Sequence, residues 1–279
     1  PKQKWPECLK KTSAIKHLMD ILEKIITDKK RELQLKKTVI PLMQLENSYL
    51  FQRKPLSLSK QLRTSESGII AEHKRRSPSK SVINQNSSVQ DIAIGYMNAG
   101  ACGMSVLTDA KYFGGSLDDL LLARAAVDFP LLRKEFIVDE YQVIEARAYG
   151  ADTILLIGAI LTRKQIKLLS ELAKSLGMDV LLEVHNEEEL VNSLMPSLDM
   201  LGVNNRNLKT FEVSLETSVS LSQHIPQEFV KVSESGISSV SAIKMLRELG
   251  YQGFLVGENF MKTENPGESA REFINQMAR

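Results

Sequence analysis

Cysteine is nearly absent from this sequence, with two in 279 residues, Cys8 and Cys102. One falls in a polar leader and the other in an apolar segment, so neither a disulfide framework nor paired metal-ligand spacing can be built from them. Cys102 reads as a small core residue. Long apolar runs are missing as well. The longest, residues 153–161, is much too short for a bilayer, which needs about 20 apolar residues. Residues 1–10 carry lysines but no apolar stretch after them, so no secretory signal is expected there and the cytoplasm is the expected compartment. Aromatic residues make up only 6% of the chain and do not interleave with its basic residues, which argues against a nucleic-acid partner.

What is present fits a soluble globular protein: 43% hydrophobic and 25% charged residues. The length suits one α/β barrel, which typically takes about 250 residues. A net charge of +2 conceals an asymmetry. Residues 1–65 hold 15 Lys and Arg against 6 Asp and Glu, leaving 21 against 28 in the remainder. A basic leader of this kind can dock on an acidic body.

From residue 14 to residue 37, Ile15, Leu18, Leu22, Ile25, Ile26 and Leu33 recur at the spacing of one helical stripe, with lysines on the other faces. Pro41 ends this helix. A short helix or turn over 42–48 and a polar linker over 53–67 are expected next. Residues 1–67 thus read as a helical extension ahead of a body formed by 68–279.

Beyond Gly68, short β-branched or leucine-rich runs alternate with helical patterns. Eight such runs lie at 69–74, 103–108, 131–136, 152–157, 179–184, 199–204, 229–234 and 253–257. Ser116 and Thr162 open helices between them, and Gly150, Gly177 and Gly250 close others. Strands alternating with helices imply parallel pairing through right-handed crossovers, and eight such units close into a single (β/α)8 TIM barrel with an N-terminal helical extension. An open doubly wound sheet would need a Gly-rich loop after its first strand, and residues 74–80 contain no glycine.

Charge stands where strands should be apolar. In residues 68–80 alternation puts Ile70, Glu72 and Lys74 on one face. An exposed edge strand would explain them, but burying a lone ion costs several kcal/mol, so an inward face used this way builds a site. In a barrel the C-terminal strand ends converge. They offer Glu72, Lys74, Lys134, Glu183, Asn204, Arg206 and Glu234, three cations among three carboxylates. The turns beginning Glu234-Ser-Gly and Val256-Gly-Glu come after the seventh and eighth strands, where free backbone N–H groups cradle phosphate in such barrels. Alternation turns His73 outward as a packing residue and makes His185 a loop residue.

Five ordered motifs carry a resemblance. Ile70-Ala-Glu-His-Lys-Arg-Arg-Ser-Pro-Ser-Lys80, Leu132-Arg-Lys-Glu-Phe-Ile-Val138, Leu182-Glu-Val184, Leu201-Gly-Val-Asn-Asn-Arg-Asn-Leu208 and Ser233-Glu-Ser-Gly-Ile237 together resemble the indole-3-glycerol phosphate synthase family. The resemblance implies conversion of 1-(2-carboxyphenylamino)-1-deoxyribulose 5-phosphate to indole-3-glycerol phosphate with loss of carbon dioxide and water. It implies no cofactor and no metal. It makes Lys134 the general acid of ring closure, Lys74 the ligand of the anthranilate carboxylate and the acid of dehydration, and Glu72 the corresponding base. Glu183 would stabilise the cationic intermediate or take part in proton transfer, while Asn204 and Glu234 would bind sugar hydroxyls and hold the lysines. Arg206, Ser77, Ser235, Gly236, Gly257 and the Glu258 backbone would surround sugar and phosphate, and Phe113, Phe136 and Leu208 would wall the aryl ring. Glu258 stands where the family often has serine, and Ser81 where it usually has glycine.

The expected partner is a phosphorylated small molecule, with no nucleic acid or membrane, for a monomer or weak homo-oligomer. Other readings are a second phosphosugar barrel, such as a phosphoribosylanthranilate isomerase, or a non-catalytic phosphate-ligand barrel. The isomerase normally uses a cysteine and aspartate pair, and no cysteine ends a strand here. Binding alone does not need two acids and two bases.

Overall fold

The computed structural model describes residues 7–78, 80–84, 87–208 and 210–277, with side chains from residue 21 onward. Eight strands are formed, β1 (Ile69–His73), β2 (Gly103–Leu107), β3 (Leu131–Lys134), β4 (Thr153–Ile157), β5 (Asp179–Val184), β6 (Met200–Asn204), β7 (Val230–Glu234) and β8 (Tyr251–Val256). All run parallel and pair in chain order, and β8 pairs back to β1, so the sheet closes into a TIM barrel. The expected runs differ from these only at their ends. β3 stops at Lys134 because the next pair turns inward on itself: the Phe136 N–H donates to the Glu135 carboxylate, 2.9 Å.

Every residue of β1, β2, β4 and β5 is buried. Strands covered on both faces read as continuous apolar runs rather than alternating ones. Ile69, Ala71, Met104 and Val106 point outward into the layer shared with the helices. Ile70, Leu132, Leu181, Met200, Val230 and Val232 point inward and fill the lumen. The strand period of two keeps Glu72, Lys134, Glu183, Asn204 and Glu234 on that inner face, two or four residues further along each strand.

The helices begin and end where the sequence signals them. The Ser116 side chain accepts from the Asp119 N–H, and Thr162 and Gln165 form a reciprocal capping box. Gly150, Gly177 and Gly250 stand just past helix ends at φ of 87°, 76° and 86°, the left-handed region that glycine enters without penalty.

The N-terminal extension holds more structure than its sequence suggests. Residues 53–67 are not simply a linker: they contain helix α3 (Leu58–Thr64), which comes after α1 (Glu7–Val39) and α2 (Leu42–Glu46). Leu58 and Leu62 of α3 are buried in the lumen cluster with Cys102, closing the bottom of the barrel. Asp152 and Asp179 hold the plug there, accepting from the Leu56 N–H at 2.7 Å and the Ser59 N–H at 2.8 Å. The polar composition of 53–67 conceals two leucines placed one helical turn apart.

Helix α1 lies across the upper barrel. Ile25 and Leu33 are buried, while the side chains of Cys8, Ile15 and Leu18 lie outside the described residues. Its lysines meet the acidic body: Lys29 Nζ stands 3.1 Å from Asp109 and 3.3 Å from Glu135, and Lys37 2.8 Å from Asp139. Among the described residues, no helix is long and apolar enough to cross a membrane.

Candidate active site at the C-terminal mouth of the barrel

The C-terminal strand ends open into a cavity of about 410 Å³. Every site residue named from the sequence lines it: Glu72, Lys74, Ser77, Phe113, Lys134, Phe136, Glu183, Asn204, Arg206, Leu208, Glu234, Ser235, Gly236, Gly257 and Glu258.

At its floor Lys134, from β3, reaches across the lumen. Its ammonium donates to Glu183 of β5 at 3.1 Å and, more closely, to Glu234 of β7. The Asn204 amide of β6 donates to the other oxygen of Glu183, 3.1 Å, and accepts from the Arg206 N–H at 3.0 Å. On the opposite wall Lys74 donates to Glu72, 2.6 Å. The cavity therefore holds two lysine–carboxylate groups, Lys134 with Glu183 and Glu234, and Lys74 with Glu72.

Burial alone would lower the Lys134 pKa, but Glu234, Glu183 and Glu72 outweigh it and raise it above the ordinary lysine value. Burial also pushes Glu183 up, yet Lys134, then His185 and Asn204, hold it well below the usual carboxylate range. Glu234 goes the other way. Its burial, added to the charges of Glu183 and Glu72, exceeds the help from Lys134 and raises it to about 7. Two carboxylates on one lysine are thereby driven apart, an ionised Glu183 beside a Glu234 that titrates near neutrality.

The mouth is differentiated. Phe113 and Phe136 lie on one side, ring centroids 6.0 Å apart at 42°, joined by Ile21, Leu22 and Ile25 of α1. On the other side Ser235 and Gly236 both take left-handed φ, 66° and 78°, as the chain leaves β7. The Glu258 carboxylate is engaged by Lys80 in an ion pair. Ser77 and Lys80 exchange backbone hydrogen bonds of 2.8 and 3.0 Å, fixing the turn that presents this lysine.

Two histidines contrast. His73 faces outward, 1% exposed and away from the cavity, with neither ring nitrogen hydrogen-bonded among the described residues; burial lowers it to about 4. His185 lies in the loop just past β5, outside the cavity lining. Its ring folds back beneath the floor, Nε2 3.3 Å from Glu183 and Nδ1 3.1 Å from Glu189. Residues 183 and 185 are two apart, so a period of two puts them on the same side, and the His185 ring stays beside Glu183 although β5 ends at Val184. The α1 side chains escape sequence reasoning for another reason: an apolar stripe at helical spacing does not state which surface it covers.

The chain matches the family model described as Indole-3-glycerol phosphate synthase over residues 22–273. The indole-3-glycerol phosphate synthase of Bacteroides thetaiotaomicron is 48% identical over 259 residues, 92% of this chain and 98% of the relative. That of Polaromonas naphthalenivorans is 43% identical over 263 residues, 93% of this chain and all of the relative. Among solved structures, 3-hexulose-6-phosphate synthase from Salmonella typhimurium has a TM-score of 0.60 at 14% identity, covering 76% of this chain and 98% of that one. At such identity the likeness is one of fold. Identity of 43–48% over nearly the full length of both partners is more than a shared barrel produces, and this chain belongs to the indole-3-glycerol phosphate synthase family, the carboxy-lyases that close the indole ring in tryptophan biosynthesis.

Proposed function

We propose that the two lysine–carboxylate groups of the cavity divide the reaction between them. Lys134 protonates the ketose carbonyl oxygen while the ring carbon bearing the carboxylate attacks the carbonyl carbon. Carbon dioxide then leaves and restores aromaticity. Lys74 protonates the departing hydroxyl in the dehydration step, and Glu72 takes the remaining proton. Atoms balance, since the substrate equals indole-3-glycerol phosphate plus one carbon dioxide and one water.

The observation that carries this reading is the cationic Lys134, 14% exposed, between Glu183 and Glu234 and facing a second lysine pair across one cavity. Such a lysine is protonated at neutral pH and can follow a developing alkoxide without reorganisation. In this reading Glu183 offsets the positive charge of the cyclised intermediate, and Asn204 and Glu234 hold sugar hydroxyls and the Lys134 ammonium. Phe113, Phe136 and Leu208 receive the aryl ring, because pockets for such groups are mainly apolar. Ser77, Arg206, Ser235, Gly236, Gly257 and the Glu258 backbone hold the phosphorylated end. Lys29 and Lys37 of the leader are engaged with the barrel, which supports a role without nucleic acid. We read residues 1–67 as an extension serving the barrel of 68–279, in a monomer or weak homo-oligomer working in the cytoplasm.

The test is to supply the carboxyphenylamino-deoxyribulose phosphate and monitor indole absorbance and fluorescence. Appearance of the indole chromophore, abolished in Lys134→Ala, is expected; turnover that survives this substitution would remove Lys134 from the acid role.

A further inference from the structure

His185 does not line the cavity, yet it touches Glu183, one of the two carboxylates that hold Lys134. Its two ring nitrogens face two different carboxylates, Glu183 at the end of β5 and Glu189 in the helix Glu187–Ser193. Ionised carboxylates only accept, so a neutral imidazole, with one bare nitrogen, would set a lone pair against a lone pair on one side. The imidazolium alone suits both neighbours. The side chain is 8% exposed, so this choice is made away from bulk water.

The outer carboxylate is itself fixed. Glu189 accepts from the His185 N–H at 2.9 Å and from the Asn186 amide at 2.7 Å, while its own N–H is capped by Asn186 at 2.9 Å. At 19% exposed, Glu189 is the member of the chain nearest solvent. Glu183, in turn, has one oxygen on Lys134 and the other shared between Asn204 and His185. A row of alternating charge therefore runs inward from Glu189 through His185 and Glu183 to Lys134. The titratable groups acting on His185 are Glu183 and Glu189, and Lys134 stands on the far side of Glu183.

We propose that His185, held as an imidazolium between Glu183 and Glu189, is a positioning residue for the reaction: it fixes the orientation and negative charge of Glu183 and so keeps Lys134 loaded and aimed. This rests on the catalytic reading of Glu183 and Lys134 given above. Nε2 approaches Glu183 to 3.3 Å, so the ring faces that carboxylate directly. Burial works against the imidazolium, but Glu183 and Glu189 raise it to about 10, so it stays charged until the pH passes that value.

The experiment uses the full chain, with His185→Gln, Glu189→Gln and, alongside, Glu183→Gln. Nitrogen NMR of the wild type is expected to show both ring nitrogens of His185 protonated at pH 8; a neutral ring overturns the proposal. His185→Gln is expected to lower kcat by about 10-fold, the order of loss produced by a slightly misplaced catalytic group, with KM little changed. Unchanged kcat in a folded His185→Gln overturns it. Should His185→Gln fail to fold, Glu189→Gln decides. Loss of the outer charge must bring the alkaline fall in kcat to lower pH, and a fall coincident with that of the wild type overturns the proposal. Glu183→Gln separates this inference from the one beneath it. If Glu183→Gln is as active as wild type the site reading fails, whereas an impaired Glu183→Gln beside a fully active His185→Gln removes only the role of His185.

Discussion

Glu234 occupies the space that a side chain at Gly202 would need. A Cβ on Gly202, in the middle of β6, would collide with the Glu234 carboxylate, which crosses the neighbouring strand on its way to Lys134. Gly257 stands in the same relation to Glu72, 2.5 Å from its carboxylate oxygen if a Cβ is added. The two acids thus lie over bare backbone. Gly202→Ala is expected to leave the barrel folded but to displace Glu234 and lower kcat by about 10- to 100-fold, the order set by small errors in placing a catalytic group. Wild-type kcat in this variant would show that the close approach is unimportant.

Lys134→Ala takes the donor out of a site whose two acids remain. Turnover should fall by at least about 100-fold, as expected for loss of a positioned proton donor, while circular dichroism and phosphate binding stay as in wild type. A smaller fall would move the acid role to Lys74.

Glu234 makes stability depend on pH in a fixed direction. Its pKa is pushed up to about 7, so the native state holds its proton more tightly than the unfolded chain does. That contribution is present in full below the ordinary carboxylate value near 4.5 and is lost as pH rises through about 7. Glu234→Gln removes the titration. Its melting temperature relative to wild type should rise by a few degrees between pH 5 and pH 8, measured by calorimetry. An equal offset at both pH values would contradict the raised pKa.

Lys29, 3% exposed, is the cation that joins α1 to Asp109 and Glu135. Lys29→Ala leaves buried carboxylates without it and should cost about 3 kcal/mol in urea unfolding. Because Ile21, Leu22 and Ile25 of the same helix wall the cavity, KM should rise as well. A change in stability without any change in KM would confine α1 to a packing role.

Much of this protein is written locally. Ser116 and Thr162 start helices by capping their own backbones, and the glycines after three helix ends take the left-handed turn there. Ile70–Glu72, Leu132–Lys134 and Leu181–Glu183 state by simple alternation that an ion comes after an apolar residue on one face. These features need only neighbours a few residues away, so the sequence alone determined eight strands, their order and the charged groups at their ends.

What tertiary structure decided depends on paths that no local pattern records. It fixed which carboxylates share Lys134, because Glu183 and Glu234 come from different strands that closure of the sheet brings to one ammonium. It turned a polar linker into α3, since Leu58 and Leu62 become a plug only when an open barrel end lies beneath them. It also left Gly202 bare for Glu234. Contact of this kind is set by packing across strands distant in sequence, and only the closed barrel supplies it.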